Sequence, residues 1–215
     1  DNTENKLTQK NIQKAIDEIL IGREKRERTL SLEERTRVSH HEAGHCFMGY
    51  LLKHTEQPVK VSIIPRGEAA LGYSQQKATN KKLMIQPEVL ARISVLLGGR
   101  CAEKLIYDNV SSGASDDIEK ISQLMKNYTN YWGMSEFGPL NLDVLGIKTV
   151  EKDIINKCQN IVNQIESQTL ELLKKNKEYI DKLAKKLLEN ETINYNQIKD
   201  ILPKMLENSH VIKLQ

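Results

Sequence analysis

Apolar residues recur every three or four positions over most of the chain, the spacing of one face of an α-helix. Ile12, Ala15, Ile16, Ile19 and Leu20 predict a helix over about 11–21, ended by Gly22 and preceded by a frayed polar start. Arg23 to Arg28 is a charge run and reads as a solvated connector. Ser31 and Glu34 have the spacing of a capping box, in which each side chain satisfies a backbone N–H of the first turn. They predict a helix running through His41 and His45 to about Lys53. The period then changes. Val59 to Ile64 alternates and is β-branched, a strand ended by Pro65. Arg66-Gly67-Glu68 reads as a turn, Ala70 to Gln75 as the returning strand, and 77–86 as polar linker.

Helical spacing resumes at Pro87, suited to a first turn. Leu90, Ile93, Leu97, Cys101 and Leu105 mark a buried face to about Tyr107. Gly98-Gly99 interrupts it, where the helix weakens or another backbone comes close. A small-residue loop, Ser111 to Asp117, leads into a helix with Ile118, Ile121, Met125, Tyr128 and Trp132 inward. Asp116 and Glu119 have capping-box spacing, and Gly133 to Pro139 ends the helix. From Val150 the chain is helical again, with Ile154, Cys158, Ile161, Ile165 and Leu172 as one stripe. After a break near Asn176 come Ile180, Leu183, Ala184, Leu187 and Leu188, then a short helix at about 196–202 stopped near Pro203. The tail after Leu206 reads as loose, with His210 in it no ligand. The expected fold is mainly α with a small β-sheet (α+β).

With 215 residues the chain is long enough for one domain with a sizeable core, or one domain plus an appendage. The net charge of +3 is spread among interspersed acids and bases, which is a solvated surface and no footprint for nucleic acid. Cys46, Cys101 and Cys158 are widely spaced, which excludes a disulfide framework and a thiolate zinc cluster. Buried free thiols in a reducing compartment are expected. No apolar run approaches a membrane span, and neither a signal peptide nor a Walker-type phosphate loop is apparent.

The chemistry concentrates in His41-Glu42-Ala43-Gly44-His45. Residues four apart share a helix face, so both imidazoles can reach one ion. Glu42 lies beside them, where it can take a proton from a water that zinc has made acidic. The plainer reading is that Val38, His41, His45, Met48 and Leu52 form an ordinary inward stripe. A catalytic zinc site needs a third protein ligand. Met48 and Leu51 exclude the longer H-E-x-x-H-x-x-G-x-x-H metal site, and Glu103, Asp116, Asp117 and Glu119 remain as unseparated carboxylate candidates. The two strands could offer an open edge to an extended peptide, or merely cover the core.

Several ordered stretches resemble the peptidase domain of the FtsH family of membrane-anchored, ATP-dependent zinc proteases. They are the pentad, Val61 to Gly67, Ala70-Leu71-Gly72-Tyr73, Leu97 to Glu103, Ser112 to Asp117 and Trp132-Gly133-Met134-Ser135, spread over about 22–202. The resemblance implies Zn²⁺ held by His41, His45 and Asp117, with Glu42 as base. Glu103 matches a family glutamate near the zinc histidines and is expected to support the site without binding the ion. The family's ligand aspartate follows serine and asparagine; here the middle residue is Asp116. The implied activity is endopeptidase cleavage of unfolded or translocated polypeptides, within a likeness to homo-hexamers that use ATP through a separate module. It also implies a bacterial inner-membrane, mitochondrial or plastid setting, and substrate paired to the sheet edge. Residues 1–28 then resemble the last helix of an ATPase module with its linker, 29–206 the peptidase domain and 207–215 a flexible tail. ATPase module and membrane spans are expected elsewhere, the fragment itself being soluble. Lys104 stands where the family often has a second glutamate, and the stretch from Pro139 to Ile154 is short for the family. Two rivals stand beside this reading: a catalytically silent helical oligomerisation ring, and a zinc hydrolase of a non-peptide substrate.

Overall fold

Ser31 begins the helix on which the rest is assembled. Its hydroxyl accepts the Glu34 N–H at 3.2 Å, and the Glu34 carboxylate accepts the Ser31 N–H at 2.8 Å. This capping box starts α1 (Leu32–Leu51), which is buried continuously from His41 to Leu51. The structure, a computed structural model, describes residues 30–65, 71–77, 83–145 and 151–214, and positions 8, 11, 12, 15, 18 and 19. Of the expected 11–21 helix, the described positions 11, 12, 15, 18 and 19 are helical. Gly22, the 23–28 charge run, the Arg66–Glu68 turn, Ala70 and linker residues 78–82 lie outside the described residues.

Two helices flank α1. On one side, α2 (Gln86–Tyr107) starts with Pro87 in its first turn, and the Glu88 carboxylate accepts the Ile85 N–H at 2.8 Å. The helices meet backbone to backbone: a Cβ on Gly44 would lie 2.2 Å from the Gly98 carbonyl oxygen. That contact explains a glycine inside α1, where it costs about 1 kcal/mol of helix propensity relative to alanine. On the other side is α6 (Lys177–Asn190), where Tyr179 stacks on Phe47 at 6.5 Å. α5 (Glu151–Lys175) packs on the far side of α2, with Ser94 and Thr169 hydrogen-bonded at 2.6 Å inside that seam. Its stripe ends at the fully buried Leu173, one residue beyond the expected Leu172.

The sheet is three-stranded and antiparallel in the order β2-β1-β3, with β1 Pro58–Ser62, β2 Tyr73–Gln76 and β3 Thr192–Asn194. β1 ends two residues before the expected Ile64. β3 is too short for a period to reveal it. It pairs Val61 with Ile193, both buried. Among the described residues this leaves β2 as an edge strand.

A short 3₁₀ turn, Ser112–Ala114, leads into α3 (Ser115–Lys126). Asp116 does not cap α3: it is exposed and pairs with Lys120 at 3.0 Å, while Ser111 accepts the Gly113 N–H at 3.2 Å. Ile121, Met125 and Tyr128 face inward as expected, but Ile118 and Trp132 are exposed. The helix widens at Asn127–Tyr131, where the Trp132 N–H reaches back five residues to the Asn127 carbonyl. The added residue per turn rotates Trp132 off the apolar face. α4 (Leu142–Leu145) follows, and α7 (Tyr195–Ile201) comes after β3.

The expectation of a loose tail after Leu206 is corrected. The N–H groups of Asn208 and Ser209 donate to the carbonyls of Tyr50 and Leu51, at 3.1 and 2.9 Å, and Ile212 is buried. A helix leaves its last four carbonyls without internal partners. Residues 208–209 satisfy two of those at the end of α1, so the tail through Leu214 belongs to the packed unit.

Candidate metal centre

His41 and His45 sit one turn apart on the buried side of α1, and Asp117 comes from the first turn of α3. The Nε2 atoms of His41 and His45 are 3.0 Å apart, and Asp117 Oδ2 lies 3.4 and 3.2 Å from them. Four-coordinate zinc with Zn–N and Zn–O bonds near 2.05 Å has ligand atoms about 3.3 Å apart. The three edges of this triangle match that spacing. Asp116 and Glu119, the neighbouring candidates, are exposed. Among the described residues, this trio is the one His/Cys/Asp/Glu group gathered tightly enough to hold an ion.

The far side of each ring fixes its orientation. His41 Nδ1 faces Glu103 Oε1 at 2.8 Å, and His45 Nδ1 faces the Val95 carbonyl at 2.7 Å. Both partners accept, so each Nδ1 donates, and the two Nε2 atoms are left 3.0 Å apart beside Asp117 Oδ2. Two imidazole nitrogens so close repel unless a cation, a proton or a metal ion, is held between them. The donor set therefore fits a divalent ion, and the electrostatics agree. Burial disfavours a charged His41, yet Asp117 and Glu103 outweigh it and raise its pKa to about 10. His45 is raised too, since the Asp117 charge overcomes burial. Asp117 is held well below the carboxylate range, its burial outweighed by the two histidines.

Glu103 is only 1% exposed, and all its acceptor positions are used. Besides His41 it accepts the Ser111 hydroxyl at Oε1, and the Ser111 N–H and Arg37 at Oε2. Burial opposes its ionisation, but these donors lower its pKa to about 2. It is thus a bracket for a ligand histidine and has no free oxygen for an ion. Glu42 differs. It is 6% exposed, and its Oε2 makes no hydrogen bond. Burial pushes its pKa up, against the pull of His45 and His41.

Two glycines make the space. A Cβ on Gly99 would lie 2.4 Å from His41 Nε2, and one on Gly72 would lie 2.7 Å from Glu42 Oε1. Gly72 immediately precedes β2, so the edge strand starts beside Glu42. Of the two readings of Gly98-Gly99, the close backbone approach is seen at Gly98, against Gly44, while Gly99 makes room for the His41 ring. The sequence assigns no separate role to Gly72, Arg37 or the Val95 carbonyl. Arg37 had a usable signal, four residues before His41; a backbone carbonyl carries none.

The profile of peptidase family M41 matches residues 28–201. The chain belongs to peptidase family M41. Among its relatives in M41-type proteases is the "ATP-dependent zinc metalloprotease FtsH" of Syntrophobacter fumaroxidans, 36% identical over 96% of this chain and 34% of that protein. The "ATP-dependent zinc metalloprotease FtsH 3" of Petrotoga mobilis is 33% identical over 94% of this chain and 34% of that protein. The "mitochondrial inner membrane m-AAA protease component YTA10" of Saccharomyces cerevisiae is 38% identical over 87% of this chain and 26% of that protein. The chain spans about a third of the length of the first two. Among its described residues, no helix is long and apolar enough to cross a membrane.

Proposed function

We propose that this M41 chain is a zinc-dependent endopeptidase domain that cuts unfolded polypeptides delivered by an ATP-dependent, membrane-anchored assembly, a homo-hexamer as the FtsH resemblance implies. The observation that carries the reading is the convergence of His41, His45 and Asp117 beside a buried carboxylate with an oxygen free of hydrogen bonds. The names of the relatives support the zinc, the ATP dependence and, for the yeast protein, the inner membrane.

In this proposal His41, His45 and Asp117 hold the ion. Zinc, when bound, supplies Lewis acidity that polarises the scissile carbonyl and brings the pKa of a water to about 7. Glu42 takes the proton of the attacking water at its free oxygen and passes it to the leaving amine. Its burial suits this cycle, because it raises the carboxyl's affinity for the proton it takes up and hands on. Glu103 and the Val95 carbonyl keep the rings from turning away. An extended substrate adds to the outer edge of β2, whose start lies beside Glu42, and this main-chain pairing selects unfolded segments.

The test is cleavage of a fluorescent unfolded protein by this chain and by Glu42→Gln, with the zinc content of each measured. Zinc in both with cleavage only by the parent is expected. Near-normal turnover by Glu42→Gln refutes the assignment of the base, and zinc in both with cleavage in neither means a competent site awaiting its ring or ATPase module, or a silent ring.

A further inference from the structure

A ligand imidazole can swing about its Cβ–Cγ bond unless its far nitrogen is tied. For His41 the tie is Glu103 Oε1 at 2.8 Å. A carboxylate is itself a loose anchor, because the terminal torsion of a glutamate has a broad, nearly two-fold profile. Oε1 has a second donor, the Ser111 hydroxyl at 3.0 Å, and the rest of the carboxylate's orientation comes from its other oxygen. That oxygen is held by the Ser111 N–H at 2.8 Å and by an Arg37 guanidinium nitrogen at 3.0 Å.

Arg37 is well placed for the task. It stands one helical turn before His41 on α1, so the arginine and the histidine grip the same carboxylate from one rigid helix. Its guanidinium lies over the Tyr107 ring, 4.3 Å from the centroid, which limits its own freedom. Its charge also matters. The carboxylates of Glu42, Glu103 and Asp117 gather around this site, and Arg37 sets a cation directly on one of them. By contrast, Arg35 points to Glu191, on the C-terminal side of α6.

We propose that Arg37 is a positioning residue for the metal centre: it locks the Glu103 carboxylate, which in turn locks the His41 ring for binding the ion. This rests on the zinc-site reading above and adds a residue that the H-E-x-x-H pattern does not contain. Outer partners of metal ligands typically govern 10- to 100-fold in metal affinity. The bond to Glu103 is single, so a lysine can supply the charge and a donor, though not the planar stack on Tyr107, while methionine supplies none of these.

The experiment is a competition between the zinc-loaded protein and a chromophoric chelator, for the parent, Arg37→Met, Arg37→Lys, Arg35→Met and His41→Ala. Visible absorption of the cobalt-substituted proteins and their thermal midpoints are recorded alongside. Arg37→Met should bind zinc about 10- to 100-fold more weakly, with an altered cobalt spectrum. Arg37→Lys should lose less than Arg37→Met, since it keeps the charge and one donor but not the stack on Tyr107, and Arg35→Met should match the parent. Parent-like affinity and spectrum in Arg37→Met overturn the proposal. So do equal losses in Arg37→Met, Arg37→Lys and Arg35→Met, which mark general weakening of α1. A parent whose zinc binding survives His41→Ala overturns the zinc-site reading itself, and this proposal with it.

Discussion

Replacing Gly99 with alanine should empty the metal centre and leave the fold standing. The added methyl carbon would sit 2.4 Å from His41 Nε2 and 2.5 and 2.6 Å from its ring carbons, where ordinary contact begins at 3.4 Å. The ring must retreat by about 1 Å, the difference of those distances, while ligand distances in a metal site tolerate about 0.2 Å. It has nowhere to go that keeps both Glu103 and Asp117. Loss of one ligand should weaken zinc binding by at least about 100-fold, or about 2.7 kcal/mol. Folding suffers much less. Overpacking costs about 1–3 kcal/mol, and alanine returns about 1 kcal/mol of helix propensity at this position. The net is about 0–2 kcal/mol, within the 5–15 kcal/mol that typical domains have. Gly44→Ala makes the contrast. Its methyl would meet the Gly98 carbonyl oxygen at 2.2 Å. Backbone cannot swing aside, so α1 and α2 must part. Chelator competition and far-ultraviolet circular dichroism on both variants check this. Parent-level zinc affinity in Gly99→Ala would refute the reasoning, as would a Gly44→Ala protein that melts like the parent.

Asp117→Ala should lower zinc affinity by an order of magnitude or more, about 10-fold as a minimum, while the exposed neighbour Asp116→Ala should bind like the parent; equal behaviour of the two would remove Asp117 from the ligand set. Glu103 has a folded pKa of about 2 against an ordinary 4.5. Its contribution is therefore full above pH 4.5 and lost as pH falls toward 2. In metal-free protein the stability gap between the parent and Glu103→Gln should narrow over that window, measured by urea unfolding, and a gap constant down to pH 2 would contradict the assignment. Cys46 and Cys101 are buried, and burial pushes both thiols up, Cys101 to about 12. Ellman's reagent should leave both untouched in the folded protein and modify all three cysteines in denaturant; rapid native labelling of Cys46 would show that the α1 core opens.

What could be read from the sequence was what repeats or caps. The Ser31–Glu34 box, Pro87 and the long apolar stripes placed α1, α2, α5 and α6 nearly to the residue, because a helix writes its buried face into its own spacing. β3 could not be found this way. Thr192, Ile193 and Asn194 are a strand only because Val61 is there to pair with. Residues 208–210 look like a polar tail for the same reason: their order comes from the carbonyls that α1 leaves open. The pentad offers two candidate ligands and a candidate base, since all three lie within one turn. It could not choose among Glu103, Asp116, Asp117 and Glu119. That choice depends on where α3 begins after the Ser112–Ala114 turn, which sets one aspartate toward the histidines and the next toward Lys120.

The closure of α1 by residues 208–210 has a meaning for how the domain comes into being. Both histidines are synthesised before the groups that finish their helix and before the strand that completes the sheet beside β1. A growing chain thus exposes the H-E-x-x-H segment well before the contacts that seal its helix are available. Contacts so distant in sequence slow folding and couple its parts. The H-E-x-x-H helix is therefore finished only when the last residues of the domain are in place.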